Sequence, residues 1–442
     1  MKLSGWGRHP VAECEVVRPR DPEALRQALA VTSADLIARG NGRAYGDSAL
    51  NPARTIDMRG FDRILGFDST TGQVIAEAGV LLADLIEVFL PRGWFPAVTP
   101  GTKFVSIGGA IASDVHGKNH HAHGSFGQFV DWIDVLGPDG VERRASRDEN
   151  AELFAWTVGG MGLTGVILRA GVRLTRVETG WIRQTMLPAP DLATAMDLFE
   201  RGQDATYSVG WIDCLATGRA MGRSLVMLGE HATLDELGEK ERQDRWVQQP
   251  KRKKAVPLDF PSFALNSVSV RAFNTLYYAN GRRQAGSALI DYDSYFYPLD
   301  AILEWNRIYG RKGFAQFQCV IPLAASMAGL TALLGAIARS GQGSFLAVLK
   351  RMGAQESRFS FPMEGYTLAL DFPMRQDTPA LFAELEAIAI DHGGRFYLAK
   401  DSLLTPERLR RSDGRTAAFT RMREASGADA RFRSLQSERL RL

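Results

Sequence analysis

Hydrophobic and polar positions along the chain alternate in short blocks, and the period changes from block to block. Residues 21–30 (DPEALRQALA) carry an amphipathic helical pattern opened by Asp21. Residues 35–48 (DLIARGNGRAYGDS) read as a short strand that runs into a glycine-rich loop. Residues 55–59 and 73–80 read as strands, and 81–93 as a helix closed by Pro91 and Gly93. The stretch 130–145 reads as strand, PDG turn, strand, and 152–177 as a short helix, a glycine turn and a long strand. Short mixed units of this kind predict an α+β or α/β fold.

The pattern changes near residue 178. Longer alternating runs at 207–216, 287–298 and 314–323 predict strands, with helices at 325–341 and 378–394 between or after the later ones. An antiparallel sheet with helices on one face fits this order. Residues 245–261 (RWVQQPKRKKAVPLDFP) interrupt it with four consecutive basic residues, Lys251, Arg252, Lys253 and Lys254, and read as a mobile exposed loop.

The chain has 442 residues, which favours more than one domain and allows a large core. Its 45% hydrophobic and 23% charged content are those of a globular protein. A formal net charge of only +3, without a basic stripe interleaved with aromatics, argues against a nucleic-acid partner. Cys14, Cys214 and Cys319 are scattered and odd in number, which fits a reducing compartment. The N-terminal residues lack the apolar core of a signal peptide, and no apolar run approaches the roughly 20 residues of a membrane span. The expectation is a cytoplasmic protein with at most peripheral contact to the inner face of the cell membrane.

Three loops share one physical character: RGNGRAYGDS (39–48), TPGTKFVSIGGAIASDVHGKN (99–119) and TVGGMGLTGV (157–166). Glycine lets backbone N–H groups turn toward a ligand and lets the ligand come close. None of the three matches a Rossmann fingerprint or a P-loop. Four of the seven histidines, His116, His120, His121 and His123, fall within residues 116–123. Adjacent His120 and His121 point apart in an extended loop, and no cysteine or paired carboxylate completes a tetrahedral set. Hydrogen-bonded packing is expected for His120, His121 and His123, and no metal. His116 follows the glycine turn directly and is a candidate for the active site.

The runs RGNGRAYGD, PGTKFVSIGGAIASDVHGKNHHAHGSFG and ELFAWTVGGMGLTGVILRA resemble the FAD domain of the vanillyl-alcohol-oxidase superfamily. Within it the chain is most similar to the decaprenylphosphoryl-β-D-ribose 2′-oxidase family, of which GGAIASDVHGKNHH is the most discriminating stretch. The likeness continues through WNRIYGRKGFAQFQCVIP, GSFLAVLKRMG, GYTLALDFPMR and GGRFYLAKDS. It implies a two-part FAD-binding domain at 1–178 and 395–442, enclosing a substrate-binding domain at 179–394 with an antiparallel sheet flanked by helices.

By the same resemblance, Gly40, Asn41, Gly42, Arg43, Ala44, Tyr45, Gly46, Asp47 and Ser48 would wrap the FAD pyrophosphate with backbone amides. Ser106, Ile107, Gly108 and Gly109 would do so from a second side. Gly101, His116, Gly117, Lys118 and Asn119 would border the cofactor, with Ile167 and Tyr397 completing the site. Arg43 stands where many superfamily members carry the histidine that attaches FAD covalently, so the expected FAD is non-covalent. Lys400, His116, Tyr45, Lys118 and Gln318 are the candidate catalytic groups, with the proton acceptor left open among His116, Lys400 and Tyr45. Lys118, Gln318, Lys350 and Lys400 are the candidate substrate-binding groups, since lysines suit a phosphorylated sugar.

The implied reaction is FAD-dependent oxidation of the 2′-hydroxyl of a polyprenylphosphoryl pentose, the first half of an epimerisation completed by a short-chain keto-reductase partner. Rival readings are an aldonolactone or alditol oxidase on a free sugar and a flavin- or lipid-binding protein without turnover. The chain departs from the family at Ala369, where mycobacterial members carry a cysteine, and at Met161, where Asn is common. The first departure implies insensitivity to inhibitors that bond to that sulfur. The basic and apolar loop at 245–261, with Trp246, Val256, Leu258 and Phe260, would contact a membrane during loading of a lipid-linked sugar.

Overall fold

A β-strand sends successive side chains to opposite faces, and the strand Phe314–Pro322 shows what that achieves here. Phe317, Cys319 and Ile321 join one hydrophobic core, while Gln316 and Gln318 face the other way. The computed structural model describes residues 1–30, 35–248, 253–261, 265–344 and 346–442. Phe314–Pro322 belongs to an eight-stranded antiparallel sheet. Its order is Gly286–Asp291, Trp181–Ala189, Ser224–His231, Tyr207–Ile212, Ala347–Met352, Gly365–Pro373, Phe314–Pro322 and Arg395–Phe396.

The helices Leu192–Arg201, Ser326–Ser340 and Thr378–Asp391 cover one face of this sheet, burying Leu333, Ile337, Phe382 and Leu385 against Leu349, Leu368 and Phe372. The stretch Leu323–Ser340 is long and apolar enough to cross a membrane by length and composition, contrary to the sequence expectation. Its Leu330, Leu333, Leu334 and Ile337 lie in the core under the sheet.

The first 176 residues build a six-stranded antiparallel sheet. The long strand Val166–Arg176 pairs with Val130–Leu136 on one side and with Gln73–Glu77 and Trp94–Pro96 on the other. Helices Leu82–Phe89 and Ile107–Ala112 close a second core around Val74, Leu85, Ile111 and Ile133. A small parallel sheet of Val16–Val17, Thr55–Asp57 and Ile37–Arg39 leads into the first glycine loop. The C-terminal segment returns to this part. Leu435 N–H donates to Leu50 O at 2.8 Å, and Arg439 pairs with Asp47 at 2.7 Å and with Asp401 at 2.9 Å. The last strand, Arg395–Phe396, still pairs with Cys319 and Val320, so the eight-stranded sheet runs just past the expected limit at 394.

Three local expectations change. The run expected as one strand at 287–298 stops at Asp291, whose carboxylate accepts from Ser294 N–H at 2.9 Å and starts the helix Tyr292–Phe296. The run at 207–216 is a strand only over Tyr207–Ile212. The expected mobile loop at 245–261 is partly tied down. Lys254–Ala255 pair in parallel with Ile302–Leu303, Val256 is buried, and Phe260 N–H donates to Arg307 O at 3.0 Å. Lys251 and Arg252 lie outside the described residues.

Arg423 ties the third glycine loop to the C-terminal segment. It is fully buried, and its guanidinium donates to Leu163 O at 3.1 Å, to Ala428 O at 3.4 Å and to Phe432 O. Arg423→Met removes the donor from several buried carbonyls and is expected to destabilise the fold by about 3 kcal/mol. Chemical denaturation followed by circular dichroism measures it as a lowered midpoint.

Candidate active site

The three glycine loops, spread over residues 39–166, converge on one cavity of about 310 Å³. Residues 40–46 and Ser48 of the first loop line it, as do Gly101, Ser106, Gly108 and Gly109 of the second and Met161, Gly162, Gly165 and Ile167 of the third region. His116 lines it at the end of the second loop. The polar face of the eight-stranded sheet forms the opposite wall, and Tyr397 and Lys400 complete it.

The two phosphate-cradle candidates differ. Among the described residues, none accepts a hydrogen bond from the backbone N–H of Asn41, Gly42, Arg43, Ala44 or Gly46. Gly42 holds a φ of 64°, which turns the loop sharply and favours glycine. Asn41 Nδ2 donates to Phe104 O at 2.8 Å, joining the first loop to the second. The second loop has less to offer. Ile107 N–H donates to Val80 O and Gly108 N–H to Ala78 O, both at 2.8 Å, and Gly109 N–H to Ser106 Oγ at 3.3 Å. Those three amides are used in anchoring the helix Ile107–Ala112, unlike the free amides of the first loop. Ile107 itself is a core residue behind the wall.

The sheet wall is organised by register. Gln318 stands opposite Ala369, which stands opposite Val348; Lys350 stands opposite Thr367; Gln316 stands opposite Asp371. All seven line the cavity. Gln318 Nε2 donates to Thr367 Oγ1 at 3.2 Å and to His116 Nε2 at 3.0 Å. With Nε2 accepting, the neutral imidazole carries its proton on Nδ1. That Nδ1 is buried and has no hydrogen-bond partner among the described residues. Burial, then the charge of Lys350 and the neighbouring His120 and Lys400, holds His116 well below the ordinary imidazole range.

Two lysines face the cavity without a hydrogen-bond or ion-pair partner among the described residues. Burial pushes Lys350 down to about 8. Lys400 Nζ lies 3.6 Å from the centroid of the Tyr45 ring. Burial pushes it down to about 7, with Lys350 pushing the same way and the carboxylate of Asp371 opposing. Asp371 is raised by burial, while Gln316 and Tyr309 donate to it and the charge of Lys400 lowers it. Burial, then Asp371, raises Tyr45 well above the ordinary phenol range, so it stays a neutral phenol at pH 7.

Five expected residues lie outside the cavity wall: Asp47, Ile107, Gly117, Lys118 and Asn119. Asp47 accepts both arms of Arg439 instead. Asn119 Nδ2 donates to Ala97 O at 2.8 Å. A Cβ on Gly117 would stand 2.6 Å from Asn119 Oδ1 and 2.9 Å from Thr99 O, so it is a packing glycine. Lys118 is not among the lining residues. Its ammonium donates to Tyr295 O and sits 4.0 Å over the Tyr295 ring, and burial and the charge of Lys350 lower it to about 7.

The three other histidines form the short helix His120–His123. His120 Nε2 meets Gln355 Oε1 at 3.0 Å, His121 Nε2 donates to Ala205 O at 2.7 Å, and His123 Nδ1 meets Asn119 Nδ2 at 3.1 Å. The sequence reading missed Gln316, Thr367 and Asp371. Their signal was the alternation itself, since Gln316 shares a face with Gln318, and Thr367 and Asp371 flank Ala369 at a spacing of two.

The residues present fit FAD. The free amides of Asn41, Gly42, Arg43, Ala44 and Gly46 suit a diphosphate, and the orphaned donors His116 Nδ1 and Arg43 Nε lie on residues of the same cavity. A Cβ built on Gly101 meets nothing within 4 Å, so a side chain there would project into the cavity rather than into protein. Arg43 is stacked 4.2 Å over Trp6 and 5.2 Å over Phe104. Gly101→Leu is expected to fold, by circular dichroism, yet to purify without the flavin absorbance of the parent. Acid precipitation of the parent is expected to leave the flavin in the supernatant; flavin in the pellet would show a covalent bond.

The family model of the FAD binding domain matches residues 15–146. Decaprenylphosphoryl-beta-D-ribose oxidase of Mycolicibacterium smegmatis is 35% identical over 453 residues, covering 100% of this chain and 97% of the relative. A Streptomyces coelicolor protein of uncharacterised activity is 32% identical over 82% of this chain and 100% of its own length. L-gulonolactone oxidase of Bos taurus is 29% identical over 43% of each chain. With relatedness running the length of both chains and the flavin cradle in place, this protein is an FAD-dependent oxidoreductase that belongs to the decaprenylphosphoryl-β-D-ribose oxidase family.

Proposed function

We propose that the chain oxidises the 2′-hydroxyl of a polyprenylphosphoryl pentose to the 2′-keto sugar. The observation that carries this reading is the pair Lys350 and Lys400, two lysines on the cavity wall whose side chains lack a hydrogen-bond or ion-pair partner among the described residues. A phosphodiester anion in a partly dry pocket needs a cation such as Lys350, and the second amine is left for proton transfer. A free lactone or alditol does not. A short-chain keto-reductase would consume the product and complete an epimerisation, and the location that suits a lipid-linked substrate is the inner face of the cell membrane.

Bound FAD supplies the hydride acceptor. The chain must orient the carbinol carbon, exclude water and take the hydroxyl proton. Of the three candidate acceptors, Tyr45 is held neutral, and the charged form of His116 is opposed by burial and by both lysines. Lys400 is the group poised to change state near neutrality. Its free amine accepts the proton, and Asp371 favours the ammonium that results. Gln318 holds the His116 ring, and Lys350 balances the phosphate charge.

The experiment is anaerobic mixing of the yellow protein with a panel of sugars. Bleaching by polyprenylphosphoryl ribose and not by gulonolactone supports the reading, and the reverse overturns it. The acceptor must be deprotonated and Lys350 must stay an ammonium, so kcat/KM is expected to rise with pH through an apparent pKa near the value of about 7 for Lys400 and to fall again through one near the value of about 8 for Lys350. Lys400→Met is expected to lose this rise together with about 100- to 10,000-fold of the rate of flavin reduction. A variant that keeps the pH rise would assign the proton to another group.

A further inference from the structure

The helix Ser267–Arg283 has its amphipathicity turned outward. Val270, Asn274 and Gly281 are buried and Tyr278 is half-buried, a single stripe at helical spacing. The inward contacts are largely polar. Asn274 Nδ2 donates to Asp213 Oδ1 at 2.7 Å, Tyr278 Oη to Ala189 O at 3.1 Å and Arg271 to Leu215 O at 2.9 Å. The outward side carries Val268, Ala272, Phe273, Leu276 and Ala279. Val268 is 74% exposed and Leu276 71%, with Phe273 also exposed. A water-facing helix is ordinarily apolar inward and polar outward, so an apolar outer face marks a contact surface.

Two further observations say what kind of surface covers it. No Asp or Glu occurs between Asp259 and Asp291, while Arg271, Arg282 and Arg283 lie on the helix. In the segment that precedes the helix in sequence, Leu258 is 74% exposed. The patch also leads to the cavity. Leu265, just before the helix, packs in one cluster with Leu299, Trp305 and Leu346, and those three line the cavity wall.

We infer that the outward face of Ser267–Arg283 is the surface that lies on an anionic lipid bilayer, with Leu276 and Val268 entering the acyl boundary and Arg282 and Arg283 meeting the headgroups. This deepens the reading of a lipid-linked substrate and rests on it for its purpose, since the cavity mouth then opens where a membrane-held sugar phosphate is presented.

The test is flotation of the flavin-loaded protein with vesicles of phosphatidylcholine alone or with phosphatidylglycerol, in the absence of substrate. Binding is expected with the anionic vesicles, weak without phosphatidylglycerol, and reduced by added salt. Val268→Asp/Leu276→Asp is expected to lose at least about tenfold in apparent vesicle affinity, with flavin absorbance and circular dichroism unchanged. Val11→Asp, at another exposed apolar position, is the control and is expected to bind as the parent does. No parental binding to anionic vesicles, or equal binding by the double variant, overturns the proposal. A parental dimer in sedimentation velocity that the double variant abolishes, with no vesicle binding, assigns the face to a second copy and overturns it too. Vesicle binding without flavin bleaching by polyprenylphosphoryl ribose sinks the substrate reading alone. Bleaching without vesicle binding sinks this inference alone.

Discussion

The two-sidedness of a β-strand is the constraint on which this molecule depends. Every second residue of Phe314–Pro322 and Gly365–Pro373 faces the helices, and apart from Ala315 those positions are phenylalanine, tyrosine, leucine, isoleucine and cysteine. The positions between them face the cavity, and there Gln316, Gln318, Thr367, Ala369 and Asp371 stand in cross-strand register. A slip of one residue in either strand would exchange the two sets. The core and the reaction wall are therefore specified by the same pairing, and neither can shift without the other.

The polar wall has an electrostatic cost that its own composition limits. Lys350 and Lys400 are lowered because leaving water penalises an ammonium. Asp371 is raised for the matching reason, and each of Asp371 and Lys400 favours the charged form of the other. His116 is kept neutral by the same two lysines and by burial, so its ring is a fixed hydrogen-bonding element held by Gln318. The outcome is a cavity whose charge state is sensitive near neutrality and whose aromatic and imidazole groups are not.

Much of this could be read from the residues, and the failures are instructive. The glycine turns and the alternating strands were legible because backbone freedom and period two are local properties. The convergence of the turns with Lys400 was legible only through the resemblance. The partner of Lys118 was not legible because sequence proximity to His116 says nothing about which way a long side chain turns, and the Tyr295 carbonyl and ring lie 177 residues away. The engagement of the Ile107 and Gly108 amides was not legible because the carbonyls that accept from them, Val80 and Ala78, lie in the turn after the strand Gln73–Glu77. Asp371 was overlooked because a carboxylate in an apolar run looks like an edge residue until the register places it. The helix Ser267–Arg283 went unnoticed because an inverted face does not match the template for a buried amphipathic segment.

The return of the C-terminal segment has a consequence for the order of assembly. The cradle loop is made within the first fifty residues, yet Tyr397 and Lys400, and the Arg439 clamp on Asp47 and Asp401, are made in the last fifty. A growing chain on the ribosome therefore lacks part of the chamber until residues 397–439 have been made. A product terminated before them would be an apoprotein with an open side.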